Sequence, residues 1–336
     1  MTALDASSCD NHDILVDKTS KANPAIFPLI DTHTHFDAPV FDVDREEQVQ
    51  RAYQQGIRHL VLVGYLQRHF ERLYESQKFI NDLSAPATER TALSLKSHIA
   101  LGLHPFYIEA HSEAHLESMA QLLSKKRPLA IGEIGLDTFT DTMKKPEILA
   151  KQQYFFQAQL DMAVTHQLPV MLHIRKAHAE ALALLKAHDY DAHKLGGIAH
   201  SFSGGEQEAK AFVKLGFKLG VTGQITNPNA KKLRRAIQAA VDKYGLECLV
   251  IETDCPDMTP IMCQDSGNSA SALGQSPDNA DNEWGAAPAH NRNVPANLPY
   301  VLGSLSELLA VPTDILAEQF WHNSCSALQT DWPYLG

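Results

Sequence analysis

The chain contains eight short apolar segments that are separated by longer amphipathic or charged ones. Each is rich in valine, isoleucine and leucine, which is typical of strands buried on both faces of a parallel sheet. The predicted strands are Phe27–Asp31, His59–Gly64, Ile99–Leu103, Leu129–Glu133, Pro169–His173, Gly197–His200, Phe217–Val221 and Cys248–Asp254. Eight strand–helix alternations within ~250 residues predict an α/β fold of the (β/α)8 TIM barrel type. A doubly wound open sheet remains the alternative, because strand number alone does not separate the two.

The segments between the predicted strands have the pattern of helices. Examples are Glu46–Gln55, Lys144–His166, Glu206–Leu215 and Lys231–Tyr244. Helix starts are indicated by Pro146 in a first turn and by Asp44 ahead of two glutamates. The alternation places residues 25–336 in a single barrel domain.

Two segments do not follow this alternation. Residues 1–24 are polar and are predicted to form a disordered N-terminal tail. Residues 263–293 form a polar insertion after the eighth strand, rich in serine, asparagine, aspartate, alanine and glycine. The insertion is either a disordered spacer or a lid over the site that docks through Trp284.

Charge and cysteine content exclude several classes of protein. The net charge of -11 argues against a protein that coats nucleic acid, but bound divalent cations could supply local positive charge to an enzyme. The five cysteines are irregularly spaced and indicate neither a disulfide framework nor a zinc knuckle. Because disulfides are not expected, the predicted location is the cytoplasm. The sequence has no signal-peptide pattern and no membrane-spanning run, and no obligate protein partner is evident.

The first predicted strand ends in two histidines with alternating spacing. His33 and His35 are two residues apart and therefore point to the same side of an extended segment, as Asp31 does. Two imidazoles on one side can share a cation. The alternative is that they are ordinary members of a set of 17 histidines.

Other potential ligands follow the fourth, fifth, sixth and eighth predicted strands. Glu133 would be costly to bury unpaired, and either a bridging position between cations or a salt bridge would remove that cost. His173 and His200 end consecutive strands, and Asp254 lies at the tip of the eighth. In a TIM barrel these ends meet at the catalytic rim.

Together these strand ends offer four histidines, one glutamate and one aspartate, without a thiolate. This set suits Zn, Mn, Co, Ni or Fe, and it can host Mg. Six ligands exceed the needs of one tetrahedral zinc ion, whereas two cations ~3.5–4 Å apart, bridged by a carboxylate and a water, would use them all. The sequence therefore predicts two divalent metal cations per subunit.

Three further residues are candidates for binding a substrate. His104 follows the third strand and is predicted to contact the substrate or support a ligand, or else to be structural. Arg175 has a guanidinium fork that matches a phosphate, although a structural pair with a carboxylate is the alternative. Ser203 precedes two glycines whose backbone N–H groups could bind an oxyanion.

The motifs together resemble the TatD family of metal-dependent hydrolases over residues 28 to 330. The matching segments, in order, are Asp31–His35, Gly102–Pro105, Gly132–Asp137, His173–Arg175, His200–Gly204, Glu252–Pro256 and Arg292–Pro295. Glu252–Met258 and Phe217–Gly223 resemble the YjjV-like branch of that family. Ser201 departs from the cysteine of many relatives, and the 263–293 insertion weakens any inference about the substrate.

The resemblance implies a TIM barrel of the amidohydrolase type with a two-metal site. It implies that His33 and His35 bind one cation and that His173 and His200 bind the other. Glu133 would bridge the two cations.

The resemblance also implies that Asp254 binds a metal and takes a proton from the nucleophilic water. The predicted activity is ester hydrolysis, most directly of a phosphodiester such as that of DNA. Arg175 and Ser203 favour this phosphoester substrate. The alternatives are a metal-dependent amide, lactone or carboxylic-ester hydrolase and, more remotely, a non-catalytic adaptor barrel.

Overall fold

The computed structural model describes residues 26–83, 95–264 and 291–336. Eight parallel strands pair in sequence order in one sheet. They are β1 Leu29–Thr34, β2 Ile57–Val63, β3 Lys96–Leu101, β4 Ala130–Asp137, β5 Val170–Arg175, β6 Ile198–Ala199, β7 Lys218–Val221 and β8 Leu249–Ile251. Sequential order confirms the predicted TIM barrel, because a doubly wound sheet reverses its strand order.

Ten α-helices lie within the described residues. They are α1 Arg45–Gln54, α2 Phe70–Leu83, α3 Glu113–Lys125, α4 Pro146–His166, α5 His178–Ala187, α6 Ala192–Leu195, α7 Glu206–Lys214, α8 Lys231–Tyr244, α9 Leu298–Leu309 and α10 Thr313–Leu328. The four helices predicted as examples agree to within two residues at each end. Asp44 is the N-cap residue of α1, but its carboxylate accepts hydrogen bonds from Arg292 and Gln48 instead of a helix N–H group.

Four strands end earlier than the sequence predicts. β2 and β3 end at Val63 and Leu101, whereas the expected ends are Gly64 and Leu103. β6 stops at Ala199 and β8 at Ile251, whereas the expected ends are His200 and Asp254. The backbone becomes left-handed shortly after β6 and β8, with φ of 41° at Ser201 and 55° at Asp254. This conformation is unfavourable for residues with a side chain, and it is found disproportionately at functional sites.

The barrel closes where β1 meets the segment after β8. The backbone N–H of Asp254 donates to the carbonyl of His33 at 2.9 Å, and His35 donates to the carbonyl of Cys255 at 2.8 Å. The buried carboxylate of Asp31 accepts from both the N–H and the hydroxyl of Thr253, at 2.9 and 2.6 Å. These bonds fix the two histidines of β1 beside Asp254.

Apolar side chains form two cores on either side of the strands. The larger one lies between the strands and the helices. The smaller one fills the barrel interior with residues such as Val61, Ala100, Met171 and Val250, and Trp321 of α10 packs against it. Because apolar side chains fill the barrel interior, the polar side chains lie at its carboxyl rim.

The predicted tail at 1–24 and most of the 263–293 insertion, including Trp284, lie outside the described residues. Their interpretation as a disordered tail and as a spacer or lid therefore stays a prediction. Among the described helices, none alone has the length and apolar character to cross a membrane. Only Pro295–Leu309 with Thr313–Leu328 meets those criteria as a pair, with a bend of 112° between them.

We predict that Asn323→Ala destabilises the barrel by about 2 kcal/mol. The buried side-chain amide of Asn323 donates to the carbonyls of Leu246 and Leu249, at 2.8 and 2.7 Å, and its loss removes a buried donor from both, although the Leu246 carbonyl keeps the N–H of Leu249. Urea unfolding followed by circular dichroism should show a lower midpoint with an unchanged slope. Gln319→Ala is the control, since within the described residues the Gln319 side chain bonds only to the Asn323 side chain. Equal midpoints for the two variants would contradict this assignment.

Candidate metal centre

The buried carboxylate of Glu133, on β4, lies at the centre of the carboxyl rim. Its Oε2 is 3.2 Å from Nε2 of His33 and 3.5 Å from Nε2 of His35. Both histidines come from the end of β1, and their alternation brings both rings to the same oxygen, as the sequence predicts.

The other oxygen of Glu133 faces imidazoles from three other strand ends. Oε1 is 2.7 Å from Nδ1 of His173, 3.3 Å from Nε2 of His104 and 3.7 Å from Nε2 of His200. Each carboxylate oxygen thus faces a separate set of imidazoles. A carboxylate that bridges two cations requires this division.

Asp254 completes the cluster from the side of β8. Its Oδ1 is 3.8 Å from Nε2 of both His33 and His35, and its Oδ2 is 3.5 Å from Nε2 of His200. Burial alone would raise the pKa of Asp254, but the charge of His200 holds that pKa below its ordinary value. The surrounding imidazoles, with His104 foremost, likewise hold the pKa of Glu133 well below its usual range against the effect of burial. Both carboxylates are therefore ionised at neutral pH.

Two imidazoles are oriented by hydrogen bonds on the side away from Glu133. The Nδ1 of His35 lies 3.0 Å from the carbonyl of Val63, so that nitrogen donates to the carbonyl and Nε2 faces the carboxylates of the cluster. The Nε2 of His173 lies 3.0 Å from Oδ2 of Asp137, which leaves Nδ1 facing Glu133. Such partners fix the tautomer of histidines that bind metals.

His200, a third imidazole of the cluster, is held by an ion pair with Glu252. Its Nδ1 lies 2.8 Å from Oε1 of Glu252, which is fully buried and also accepts from the N–H of Ser201 at 2.6 Å and the hydroxyl of Thr32 at 3.1 Å. With these three partners, Glu252 is a support for His200 and not a rim ligand. A Cβ at Gly220 would lie 2.3 Å from its carboxylate, so only glycine fits beneath it.

His104 differs from the other imidazoles because its Nδ1 is an acceptor. That nitrogen receives the backbone N–H of Phe106 at 3.0 Å. Burial lowers the pKa of His104 to about 4, so the ring is neutral and carries its proton on Nε2. His104 therefore presents a donor towards Glu133 and His173, whereas a metal ligand needs a lone pair.

The charge and donor set of the cluster fit divalent cations. The ionised carboxylates of Glu133 and Asp254 are buried, and buried anions need compensating positive charge. The buried Nε2 of His33, which faces Glu133, has no hydrogen-bond partner among the described residues, and this leaves it available to a cation. Burial lowers the pKa of His33, which keeps the ring in its neutral, ligating form.

Asp137 and Glu252 were not predicted from the sequence as supporting residues, whereas Asp31 was placed on the same side as His33 and His35. A signal for the two missed residues exists in the spacing. Asp137 is four residues beyond Glu133, and Glu252 is two before Asp254, so each shares a strand face with a predicted ligand. Their partners come from other strands, and the sequence does not specify those contacts.

The remaining predicted substrate residues lie at the rim around this cluster. The half-buried guanidinium of Arg175 stacks 3.6 Å above the ring of Phe139, with no ion pair within 4.0 Å in the described part of the chain. Ser203 is exposed, and the N–H of Gly205 donates to Oε2 of Glu208 at 2.5 Å. That N–H is thus occupied, which reduces the predicted oxyanion site to the turn at Ser203 and Gly204.

The fold and the cluster define a TIM barrel with a histidine–carboxylate centre at its carboxyl rim. The family model described as TatD related DNase matches residues 30–329, and the chain belongs to this family.

Individual relatives agree with the family match. The chain is 38% identical over 232 residues to an uncharacterized metal-dependent hydrolase, YjjV, of Escherichia coli, spanning 68% of this chain and 80% of that protein. It is 29% identical over 306 residues to the 3′-5′ ssDNA/RNA exonuclease TatD of Citrobacter rodentium, spanning 87% and 97%. The crystal structure of E. coli YjjV, a TatD homologue, superposes with a TM-score of 0.68 and 33% identity over 90% of this chain and 98% of that one. These matches confirm the predicted resemblance to the YjjV-like branch.

We predict that Glu252→Gln weakens one of two divalent-cation sites ~10–100-fold, because His200 loses the charged partner that orients it. Asp137→Asn should weaken the same site through His173, because His173 and His200 are predicted to bind the same cation. Zinc binding measured by competition with a chelator dye gives both constants. Glu208→Gln is the matched control, since Glu208 caps the Gly205 turn and contacts none of these imidazoles. Unchanged constants in Glu252→Gln and Asp137→Asn would contradict the orienting roles.

Proposed function

We propose that this chain is a divalent-metal-dependent phosphodiester hydrolase that acts on nucleic acid, with DNA as the expected substrate. The observation that carries the proposal is the division of imidazoles between the two oxygens of Glu133. Family membership supports it, as do the names of two relatives, a metal-dependent hydrolase and an exonuclease of ssDNA and RNA. A cytoplasmic location stays a prediction from the cysteine pattern.

The proposed ligands are those that the sequence predicts. His33 and His35 would hold one cation, His173 and His200 the other, and Glu133 would bind both. Bound divalent cations lower the pKa of water and offset the charge that develops on phosphoryl oxygens.

Asp254 is the proposed proton acceptor. Its carboxylate is ionised, lies beside the imidazoles of both sets, and can take a proton from the attacking water at Oδ1 or Oδ2. Attack on phosphorus then breaks one phosphorus–oxygen bond and yields a phosphomonoester and an alcohol.

The substrate phosphate would be oriented by groups around the cluster. Arg175 can donate two parallel N–H bonds to phosphate oxygens, and its stacking on Phe139 limits the positions of the guanidinium. The Nε2–H of His104 can donate to a third oxygen. Ser203 is proposed to contact the substrate through its exposed hydroxyl.

We predict that Asp254→Asn and Glu133→Gln each lower kcat at least ~100-fold with the fold retained. The amide of Asp254→Asn cannot accept a proton, and Glu133→Gln loses one of the two anionic oxygens. Initial rates on a single-stranded oligonucleotide, together with circular dichroism and bound-metal analysis, measure these effects. Asp141→Asn removes a fully exposed rim carboxylate and should keep full activity. Wild-type turnover in both site variants would reject the assigned roles.

The reaction class is tested by a substrate panel with added Mn, Mg or Zn. We expect cleavage of bis-p-nitrophenyl phosphate and a dinucleotide, and removal of the cations by a chelator should abolish it reversibly. A phosphomonoester and a set of lactones are the comparison substrates. Activity on lactones alone would replace phosphodiester hydrolysis with carboxylic-ester hydrolysis.

A further inference from the structure

Helix α8 begins with an unusual charge pattern for its position in the barrel. The long helices that follow the earlier strands carry glutamate in their first turn, at Glu46, Glu47, Glu71, Glu113, Glu147, Glu180, Glu206 and Glu208. Helix α8 has no acidic residue there, and its first five residues include Lys231, Lys232, Arg234 and Arg235. Positive charge at the start of a helix is unfavourable, because it faces the positive end of the helix dipole.

Only part of this charge is used inside the protein. Arg234 donates to the carbonyl of Ile225 at 2.7 Å, and Arg235 lies 3.9 Å from the carboxylate of Glu206. Lys231 and Lys232 are exposed and, in the described ranges, form no ion pair within 4.0 Å. No ion pair within the described part of the protein therefore accounts for the charge of these two lysines.

Lys176 adds a further positive charge from the end of β5, next to Arg175. It is exposed and has a left-handed backbone with φ of 59°. The hydroxyl of Thr138 donates to its carbonyl at 2.9 Å, and the N–H of Thr138 donates to the carbonyl of Arg175 at 2.9 Å. The position of Lys176 is thus held by β4 despite the unfavourable conformation.

Lys176 and Lys232 lie around the same turn of the rim. Burial lowers the pKa of half-buried His178, and the charges of Lys232 and Lys176 lower it further against the effect of Glu208. His178 also contacts Gly204, and the Cε of Lys232 lies near Gly205. Both lysines are therefore beside the turn that follows His200, a proposed metal ligand.

We propose that Lys176, Lys231 and Lys232 form a binding surface, the α8 basic surface, for the phosphates of a single-stranded nucleic acid beyond the cleaved diester. The inference rests on the proposed phosphodiester activity and specifies where the nucleic-acid strand lies on the protein. A polyanion is the partner that this charge fits, and the chain as a whole carries a net charge of -11. Repulsion elsewhere on the protein would direct the strand to this side of the rim.

The test compares a triple variant, Lys176→Gln/Lys231→Gln/Lys232→Gln, with a control of equal charge loss. The control is Lys125→Gln/Lys194→Gln/Lys214→Gln, which removes three exposed lysines that precede strands and so lie at the opposite end of the barrel. KM and kcat of the metal-loaded enzymes are measured on a dinucleotide and on a 20-nucleotide single strand. Binding of the 20-mer is measured separately by fluorescence anisotropy across salt concentrations.

We expect the α8 variant to bind the 20-mer about tenfold more weakly, with a salt slope smaller by about two. Its KM on the 20-mer should rise with kcat unchanged, while the dinucleotide is cleaved as by the wild type. Equal 20-mer binding by the α8 variant and the control overturns the proposal, as does an equal rise in KM on the dinucleotide. So does displacement of the 20-mer from the wild type by polyglutamate as readily as by unlabelled strand, since the surface would then bind acidic chains in general.

The binding measurement separates this proposal from the proposed function. A wild-type enzyme that cleaves no phosphodiester with any cation refutes the activity. Loss of 20-mer binding in the α8 variant alone would still support the surface. Cleavage of the dinucleotide by all three proteins, with identical 20-mer binding, would refute the surface and leave the activity intact.

Discussion

The carboxylate of Glu133 is the group around which the rest of the rim is arranged. It is buried and ionised, and a charge in that environment is stable only with positive partners at short range. Imidazoles from β1 lie on one oxygen, and imidazoles that follow β3, β5 and β6 lie on the other. Closure of the barrel brings these strand ends together, so the architecture and the electrostatics of the centre depend on each other.

Much of the fold and of the centre could be predicted from sequence because both follow from local pattern. Buried parallel strands are continuous apolar runs, and ligands such as His33 and Glu133 stand at the ends of those runs. The ends of β6 and β8 were less predictable. They depend on left-handed turns at Ser201 and Asp254 that no local residue preference announces.

Contacts that form only on folding set the roles of the individual histidines, which could not be predicted from the sequence. Whether a histidine binds a cation or donates a proton depends on the partner of its other ring nitrogen. For His200 that partner is Glu252, and for His104 it is the backbone N–H of Phe106. Both rings follow apolar strands in the sequence, and only the folded arrangement distinguishes them. The α8 basic surface is similar, because it is unusual only by comparison with the acidic first turns of the long helices that follow the earlier strands.

The junction between β1 and β8 also has a consequence for biogenesis. Asp31 and Thr253, which join there, are 222 residues apart in the chain. During synthesis on the ribosome, the histidines of the first strand emerge long before Asp254 exists. The complete set of donor atoms therefore exists only after about three quarters of the chain has been made, and no cation can meet all of them before then.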